Sequence, residues 1–373
     1  MIYVSYYSTP DDVRIASPAA NAKVLSISRA IESNGERILI FSSTTRASVV
    51  GRIKGRDVEI SLKTKCHQIG FYSSNNRWSR ILQNLLGNLK VFGRLLFCTK
   101  RGENVLFYHA IERAKPILIA KRIKRFRLIL EVEEIYQNAL DLSEKEKKME
   151  WSLIKAADAF IFPTESLNDL VNKENKPSAI IYGTYEVAPQ LCVPEDDGIT
   201  HVVYAGTLDP AKGGAKCAVD VARYLSKGYH MHILGFGTQE QIDGLIKDIA
   251  DAEQATLCKI SYDGCLEGEE YLRFLQKCHI GLSSHVASGS FSDTSFPSKI
   301  LSYMANGLKV VSTKIKVVEQ SKVGKYVAFP ETNDSVGLAK AIVSLEGYVG
   351  SFDGRECVRA LSESFENEIR TVL

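Results

Sequence analysis

Hydrophobic residues along the first half of the chain form short apolar runs that alternate with helical stripes. The segment "MIYVSYY" predicts a strand, "SPAANAKVLSISRAIESNG" predicts a helix that Gly35 ends, and "RILIFSS" predicts the next strand. The alternation continues through "NVLFYHA", "AKPILIAKRIKR", "RLILEVEEI" and "AFIFPT". Strands separated by helices of this length form parallel sheets with helices on both faces.

The second half repeats this scheme after a proline-bearing acidic segment, "YEVAPQLCVPEDDGI". Strand-like runs such as "THVVYAGTL", "YHMHILGFG" and "HIGLSSH" alternate with helical patterns such as "EQIDGLIKDIA". At roughly 150 residues per domain, the chain length also favours two domains. The pattern predicts an α/β protein of two doubly wound parallel-sheet domains, residues 1–188 and 189–350, followed by a helical segment, 351–373.

One segment, "RWSRILQNLLGNLKVFGRLLF", departs from the alternation and predicts a basic amphipathic helix. Its apolar stripe consists of Trp78, Ile81, Leu82, Leu85, Leu89, Phe92 and Leu96. Such a helix can lie in a bilayer interface, or it can pack its stripe against its own domain. Both alternatives are open at this point.

Charge is distributed unevenly, although the net charge is only +3. Residues 46–127 contain 19 lysines and arginines against 4 acidic residues, a local charge of +15. Such a surface suits anionic partners, including membrane phospholipid, or serves only as a solvated face. Nucleic acid is not expected as a partner, because the aromatic residues do not alternate with the charges as a stacking platform requires.

The eight cysteines form no CxxC pair and have no histidine at zinc-ligand spacing. This argues against a zinc site or a disulfide framework and favours a reducing compartment. The amino terminus begins as a strand and has no basic region before an apolar stretch. We therefore expect a cytoplasmic protein that can also bind the inner face of a membrane.

Glycines and lysines lie at the predicted ends of several strands in the second half. "YAGTLDPAKGG" places Lys212 before a helix, "HILGFG" ends a strand at two glycines, and "FPSKILSYMANGLKVVST" places Lys299 at a helix start with Ser298 as the expected N-cap. Ligands of open parallel sheets bind beyond the carboxyl ends of the strands. Lysine charges and helix amides that meet there would suit a diphosphate.

These segments resemble family 4 of the retaining glycosyltransferases with the GT-B fold. "YAGTLDPAKGG" is similar to that family's G-x-L-x-x-x-K-G element, and "FPSKILSYMANGLKVVST" to its P-S-K-x-x-E-Y-M-A-x-G-x-P-V-I-x-T element. The resemblance covers the second domain well and the first mainly through topology. It implies two Rossmann-like domains that face each other across a cleft, with the last helix crossing back to the first domain.

The resemblance also implies a set of donor-binding residues. The diphosphate would be bound by Thr207, Lys212, Ser298 and Lys299. The nucleoside and the donor sugar would lie near Gly235, Tyr262, Asp293, Thr294 and Ser302. Family members commonly have a glutamate where Ser302 stands and an acidic residue near Thr294, so the ribose and sugar contacts differ here. Ser302 can make a single neutral hydrogen bond in place of a charged bidentate pair.

In the first domain, the resemblance implies that His109 faces the donor sugar. The alternative is a structural histidine whose ring nitrogens are hydrogen-bonded at the end of a strand and that does not contact the sugar. Glu131 and Glu133 alternate on one face of a strand, where a carboxylate could accept the proton of an acceptor hydroxyl or pair with "KRIKRFR". Asn21 and Lys23 are acceptor-side candidates.

The chain contains no D-x-D sequence, the usual metal–diphosphate motif of the other large transferase fold. We therefore expect no metal and no cofactor, with a UDP- or GDP-linked sugar as co-substrate and lysines neutralising the diphosphate. The predicted function is transfer of a hexose-type sugar to a glycan, with retention of the anomeric configuration and without a metal ion. The acceptor glycan is expected to be carried on a membrane lipid, as in surface polysaccharide assembly. The alternatives are a non-catalytic GT-B partner subunit that binds nucleotide or glycan, and a nucleotide-sugar 2-epimerase.

Overall fold

The computed structural model describes residues 1–9, 11–74, 76–139, 141–284, 294–346 and 353–373. The chain divides into two compact units. The N-terminal unit comprises Met1–Thr184 and Glu363–Leu373, and the C-terminal unit comprises Tyr185–Ser362. None of the described helices is long and apolar enough to cross a membrane.

The N-terminal unit is built on an eight-stranded sheet with the order β10-β9-β8-β7-β1-β2-β5-β4. Its strands are β1 (Ile2–Ser5), β2 (Ile38–Ser42), β4 (Arg56–Glu59), β5 (Thr64–Gln68), β7 (Asn104–Tyr108), β8 (Arg127–Glu131), β9 (Ala159–Phe162) and β10 (Ser178–Ile180); β3 (Gly51–Ile53) and β6 (Phe71–Ser73) form a separate antiparallel pair. All pairings in the large sheet are parallel except that of the edge strand β4 with β5. This is a doubly wound sheet, in which β1 lies between β2 and β7.

Helices flank this sheet and bury their apolar faces against it. They are α1 (Pro18–Ser33), α2 (Arg77–Cys98), α3 (Ile111–Lys124), α4 (Tyr136–Ala139), α5 (Glu144–Ala156) and α6 (Glu165–Val171). The end of the last helix, α13 (Gly354–Val372), also belongs to this unit. The Asn34 side chain donates to the Glu366 carbonyl at 2.9 Å and accepts from Arg370 at the same distance.

The C-terminal unit has a six-stranded, all-parallel sheet with the order β13-β12-β11-β14-β15-β16. Its elements are β11 (Thr200–Thr207), α7 (Gly214–Ala222), β12 (Tyr229–Phe236), α8 (Gln239–Glu253), β13 (Lys259–Gly264), α9 (Gly268–Lys277), β14 (Ile280–Ser283), α10 (Ser298–Ala305), β15 (Lys309–Ser312), α11 (Lys316–Glu319), β16 (Val327–Ala328) and α12 (Ser335–Val343). One core lies between the sheet and α7, α8 and α12, where the apolar residues of β11 and β12 meet these helices.

The amphipathic helix α2 exposes most of its predicted apolar stripe. Its buried positions are Gln83, Gly87, Val91 and Leu95, which recur every four residues on a different face. Trp78 is 77% exposed and Leu89 is 65% exposed. The alternative that α2 packs its whole stripe against its own domain is therefore wrong.

Candidate functional site

The topological switch point of the C-terminal sheet lies between β11 and β14, because the connections leave these neighbouring strands toward opposite sides. Three segments approach this carboxyl edge: the loop after β11, the start of α7 and the start of α10. The segment that follows β14 directly, residues 285–293, lies outside the described residues.

Lys299 occupies the switch point with its ammonium group close to two of these segments. Its Nζ lies 4.2 Å from the centroid of the Tyr204 ring and beside Gly206, 3.2 Å from where a Cβ on that glycine would stand. Burial, together with the positive charge of nearby Lys212, lowers the pKa of Lys299 to about 8. Lys299 is thus held near a second cation and forms no ion pair with a carboxylate among the described residues, an arrangement that a bound anion would stabilise.

The Tyr204 ring packs against the Lys299 ammonium group and is itself buried. Its side chain is 2% exposed, and its hydroxyl donates to the Thr207 carbonyl at 3.2 Å. Gly214 at the start of α7 must lack a side chain, because a Cβ there would lie 2.3 Å from the Tyr204 hydroxyl oxygen. This close approach fixes the start of α7 against the Tyr204 ring, over which the Lys299 ammonium group lies.

The other predicted diphosphate residues lie on the segments at this carboxyl edge. Thr207 ends β11, where its hydroxyl accepts a 3.2 Å hydrogen bond from the Asp209 amide. Lys212 is exposed in the loop before α7. Pro297 is the N-cap of α10 and Ser298 is its exposed first residue, so the expectation of a Ser298 N-cap is wrong by one position. The first backbone N–H groups of α10 have no partner within the helix.

Two of the predicted nucleoside residues contact each other at the neighbouring strand ends. The Tyr262 hydroxyl donates to the Gly235 carbonyl at 3.0 Å, and Gly235 lies on β12 opposite Gly206 of β11. Thr294 is half-buried before α10, and Asp293 lies outside the described residues. The Ser302 side chain lies close to that of Tyr271 on α9.

The N-terminal unit has a cavity of about 580 Å³ at the carboxyl ends of β1, β2 and β7. Asn21 lines it, and its amide is already engaged with the loop after β1, accepting from the Ser8 amide at 3.1 Å and donating to the Ser8 carbonyl at 2.7 Å. Arg113 also lines the cavity and donates to the Asn84 and Ser43 carbonyls at 3.1 and 3.2 Å. The result is a polar, preformed cavity with a guanidinium group in its wall.

His109 does not reach this cavity and is 1% exposed in the whole chain. Its ring stacks on Tyr136 with centroids 4.9 Å apart, and Nε2 lies 3.5 Å from Glu150 Oε1. Burial lowers the pKa of His109 to about 4, so the ring is neutral at pH 7. Contact with a sugar would require a conformation in which this side chain is uncovered.

Glu131 is also buried at the end of β8, at 1% exposure, and accepts a short hydrogen bond from Tyr3. Burial, together with the nearby carboxylate of Glu133, raises the pKa of Glu131 to about 8. Glu133 forms an ion pair with Lys23 at 2.6 Å. The two glutamates therefore pair with Tyr3 and Lys23 rather than with the basic segment 121–127 at the end of α3. A base role for Glu131 would require deprotonation and exposure.

We expect the Glu131→Gln variant to gain stability relative to the wild type as the pH rises from 5 to 8. In this range the unfolded glutamate is ionised and the folded one retains its proton, so wild-type stability falls with pH by up to about 1.4 kcal/mol per pH unit. Glutamine can accept from Tyr3 without this penalty. Urea unfolding followed by tryptophan fluorescence measures the effect, because Trp78 and Trp151 both lie in the N-terminal unit.

The matched control is Glu112→Gln, which removes an exposed carboxylate that accepts from Tyr6 at 2.7 Å. It controls for the loss of one carboxylate that contacts a tyrosine, because it leaves the buried Glu131 in place. If the free energies of unfolding of the wild type and Glu131→Gln change in parallel with pH, Glu131 is ionised in the folded protein.

Comparisons with known proteins support the fold at low sequence identity. None of the family models matches the chain, and neither does any curated protein sequence. A glycosyltransferase from Rickettsia africae superposes with a TM-score of 0.61 at 12% identity, covering 100% of this chain and 95% of the other. HepE from Anabaena, in complex with UDP, gives a TM-score of 0.60 at 12% identity, covering 99% and 96%.

A trehalose-phosphate synthase from Burkholderia xenovorans, in complex with glucose-6-phosphate, gives a TM-score of 0.58 at 11% identity, covering 99% and 97%. At these identities the similarity shows the fold alone. The fold is GT-B. The predicted fold class of Rossmann-like parallel sheets is thereby confirmed.

In this GT-B chain, Tyr204 and Arg113 were not predicted from the sequence as site residues. Both are large polar side chains that are almost fully buried, and each holds groups at a carboxyl sheet edge. Tyr204 precedes the glycine of "YAGTL" by two positions, and alternation along the strand places it on the same side as that glycine. That spacing could have indicated it. Arg113 has no comparable signal, because its partners come from distant segments.

Proposed function

We propose that the protein is a glycosyltransferase that moves a sugar from a nucleotide-diphosphate-sugar to a glycan acceptor. In this proposal the donor is UDP- or GDP-linked, transfer retains the anomeric configuration, and no metal is needed at the diphosphate. The GT-B fold supports this function, since solved structures of this fold include a glycosyltransferase and a protein in complex with UDP.

The observation that carries the proposal is the position of Lys299. A half-buried ammonium group with a depressed pKa stands at the switch point, beside Gly206 and at the start of α10, with Lys212 near enough to lower its pKa. The site is therefore cationic and lined by backbone N–H groups at a helix start, which suits a diphosphate. As the bond to the sugar breaks, the leaving diphosphate gains negative charge that these groups stabilise.

The remaining residues have subsidiary roles in this proposal. Thr207 and Ser298 bind phosphate oxygens beside Lys299, while the base and ribose lie toward Gly235, Tyr262 and Ser302. Thr294 and Asp293 are assigned to the donor sugar. His109 and Glu131 keep their proposed catalytic roles only in a conformation that uncovers them.

We expect one nucleotide diphosphate to raise the melting temperature of the protein, because a ligand that binds only the native state stabilises it. The measurement is a thermal-shift panel of UDP, GDP, ADP and their sugars, each with magnesium and with EDTA. A shift that is equal in both conditions and absent in Lys299→Ala would support the cationic site. Shifts that require magnesium would contradict the metal-independent proposal, and no shift with any nucleotide would contradict donor binding.

The proposed acceptor is carried on a membrane lipid, and the protein binds anionic membrane through residues 46–127. The support is α2, whose exposed Trp78, Leu85 and Leu89 form an apolar strip flanked by exposed Arg77 and Arg80. Apolar side chains bury into the headgroup region, and the arginines attract anionic lipid. Charge and exposed apolar area together favour a lipid surface over a glycan in solution.

We expect the double variant Leu85→Glu/Leu89→Glu to bind anionic vesicles at least about tenfold more weakly than the wild type, because two charges would have to enter the interface. Co-sedimentation with phosphatidylglycerol-containing vesicles measures this, with phosphatidylcholine vesicles as the lipid control. Leu257→Glu is the matched protein control, since Leu257 is 77% exposed in the C-terminal unit. Equal sedimentation of the wild type and the double variant would exclude α2 as the membrane surface.

A non-catalytic GT-B subunit is the second proposal, and one observation favours it. Serine stands at position 302, where the resembling family commonly has a glutamate, so this position offers no carboxylate to the ribose hydroxyls. A nucleotide shift without turnover of any nucleotide sugar would support this second proposal over the first.

A further inference from the structure

Three histidines lie together on one face of the C-terminal sheet, near the amino ends of the strands. His201 on β11 pairs in register with His230 on β12, and His232 follows two residues later on the same face. All three are buried, at 7–8% exposure. Parallel strands covered on both faces are normally apolar throughout, so three imidazoles here need a physical reason.

The ring nitrogens of these histidines converge. One nitrogen from each of the three rings lies within 4.8 Å of the others. His201 Nδ1 and His232 Nε2 are 2.9 Å apart. His230 Nε2 lies 2.9 Å from Ser261 Oγ.

Two carboxylates determine which nitrogens carry protons. His201 Nε2 lies 3.3 Å from Asp197, and His232 Nδ1 lies 3.1 Å from Asp263. A carboxylate oxygen accepts hydrogen bonds, so the nitrogens that face Asp197 and Asp263 are placed to donate their N–H groups to these oxygens.

This arrangement leaves two acceptor nitrogens facing each other. With their protons directed to the carboxylates, His201 Nδ1 and His232 Nε2 present lone pairs to each other across 2.9 Å. Such a contact is repulsive unless a proton or a metal ion lies between the two nitrogens. Histidines that bind metal ions characteristically donate their second N–H to a carboxylate or another acceptor, which fixes the ring as Asp197 and Asp263 do here.

We propose that His201, His230 and His232 form a binding site for one Zn²⁺ ion, with Asp197, Asp263 and Ser261 orienting the three rings. Neutral imidazole nitrogens are ligands that Zn²⁺ accepts readily, and three of them with a water molecule complete a tetrahedral site. A tetrahedral ion with Zn–N bonds of about 2.0–2.1 Å holds its ligand nitrogens about 3.3 Å apart, so His201 and His232 need to separate by only a few tenths of an ångström.

The site is distinct from the proposed diphosphate site. His201 lies five residues before Gly206 on β11, which corresponds to about 16 Å along a strand. An ion there would link β11 to β12 and stabilise the C-terminal unit without touching the donor. This proposal departs from the expectation, drawn from the sequence, that the chain binds no metal and has no zinc site, but it adds no metal to the diphosphate site.

The test is titration of the full-length, EDTA-stripped protein with Zn²⁺, followed by calorimetry and by thermal unfolding. We expect one ion per chain, a higher melting temperature that EDTA reverses, and no effect of Mg²⁺, which prefers oxygen ligands. Each of the variants His201→Gln, His230→Gln and His232→Gln should bind Zn²⁺ about 10–100-fold more weakly or worse. The matched control is His67→Gln, since His67 also pairs with a carboxylate, Asp57, at 2.6 Å but in the N-terminal unit.

Substitution of Co²⁺ for Zn²⁺ keeps the test decisive even where a variant folds poorly. Nitrogen ligation in the wild type should give visible d–d absorption without the intense ultraviolet thiolate-to-metal band that cysteine ligands produce. A thiolate band, unchanged Zn²⁺ affinity in the three variants, or no Zn²⁺ binding by the wild type would each overturn the proposal. In the last case a shared proton between His201 and His232 would be the occupant.

Discussion

Replacing Lys299 with alanine is expected to lower kcat/KM by about 10²–10³-fold, the loss typical when one preorganised donor to a developing anion is removed. The Lys299 ammonium lies over the Tyr204 ring beside Gly206, at the proposed diphosphate site. Lys212 is exposed, so Lys212→Ala should have a smaller effect. Steady-state transfer assays with the nucleotide sugar identified by thermal shift measure both losses.

Lys325→Ala is the matched control for this variant. Lys325 also lies over a tyrosine ring, that of Tyr326, at 4.8 Å, in the same unit but outside the proposed donor site. It should retain wild-type kcat/KM. Wild-type turnover by Lys299→Ala would disprove the role of Lys299 in the diphosphate site.

The pH profile gives a second readout of the same lysine. Because the pKa of Lys299 is about 8, its charge is lost as the pH rises through 8, and kcat/KM should fall along with it. Lys299→Arg keeps its charge at these pH values and should show no such fall, whatever its absolute rate. A wild-type profile that stays flat to pH 9 would mean that the charge of Lys299 does not contribute.

Replacing Gly235 with alanine should destabilise the C-terminal unit by about 3 kcal/mol or more, at the upper end of overpacking effects. A Cβ on Gly235 would lie 1.9 Å from the Gly206 carbonyl oxygen of the adjacent strand. Gly206 and Gly235 are paired residues of neighbouring parallel strands, so neither backbone can move away without breaking the pairing of β11 and β12. The same displacement would disturb Tyr262, which donates to the Gly235 carbonyl.

Gly244→Ala is the control, because a Cβ at this exposed position of α8 would meet no atom within 4 Å. Removing a glycine from a helix interior should stabilise the same unit by about 0.5–1 kcal/mol. Urea unfolding followed by circular dichroism reports both units, while tryptophan fluorescence reports only the N-terminal one. If Gly235→Ala leaves the circular-dichroism transition unchanged, the close approach of the strands is incorrect.

Most elements of regular structure could be predicted from the sequence, because apolar periodicity is a local property. The strands around "RILIFSS", "THVVYAGTL" and "YHMHILGFG" and the helix over α2 lie where their patterns predict them. The strands between residues 51 and 73 were not predicted. β4 is an antiparallel edge strand, and β5 alternates buried with more exposed positions and is rich in polar residues. Neither strand therefore has the apolar run of a central parallel strand.

The sequence by itself determined the alternating elements, the doubly wound class and the placement of Lys212 and Lys299 at strand ends, since these depend on spacing along one segment. Only the tertiary structure decided which side chains are accessible and which groups meet. It buries His109 and Glu131, exposes the stripe of α2, and brings His201 beside His230 and His232. Burial and contact between distant segments arise from packing of the whole unit, so no local pattern encodes them.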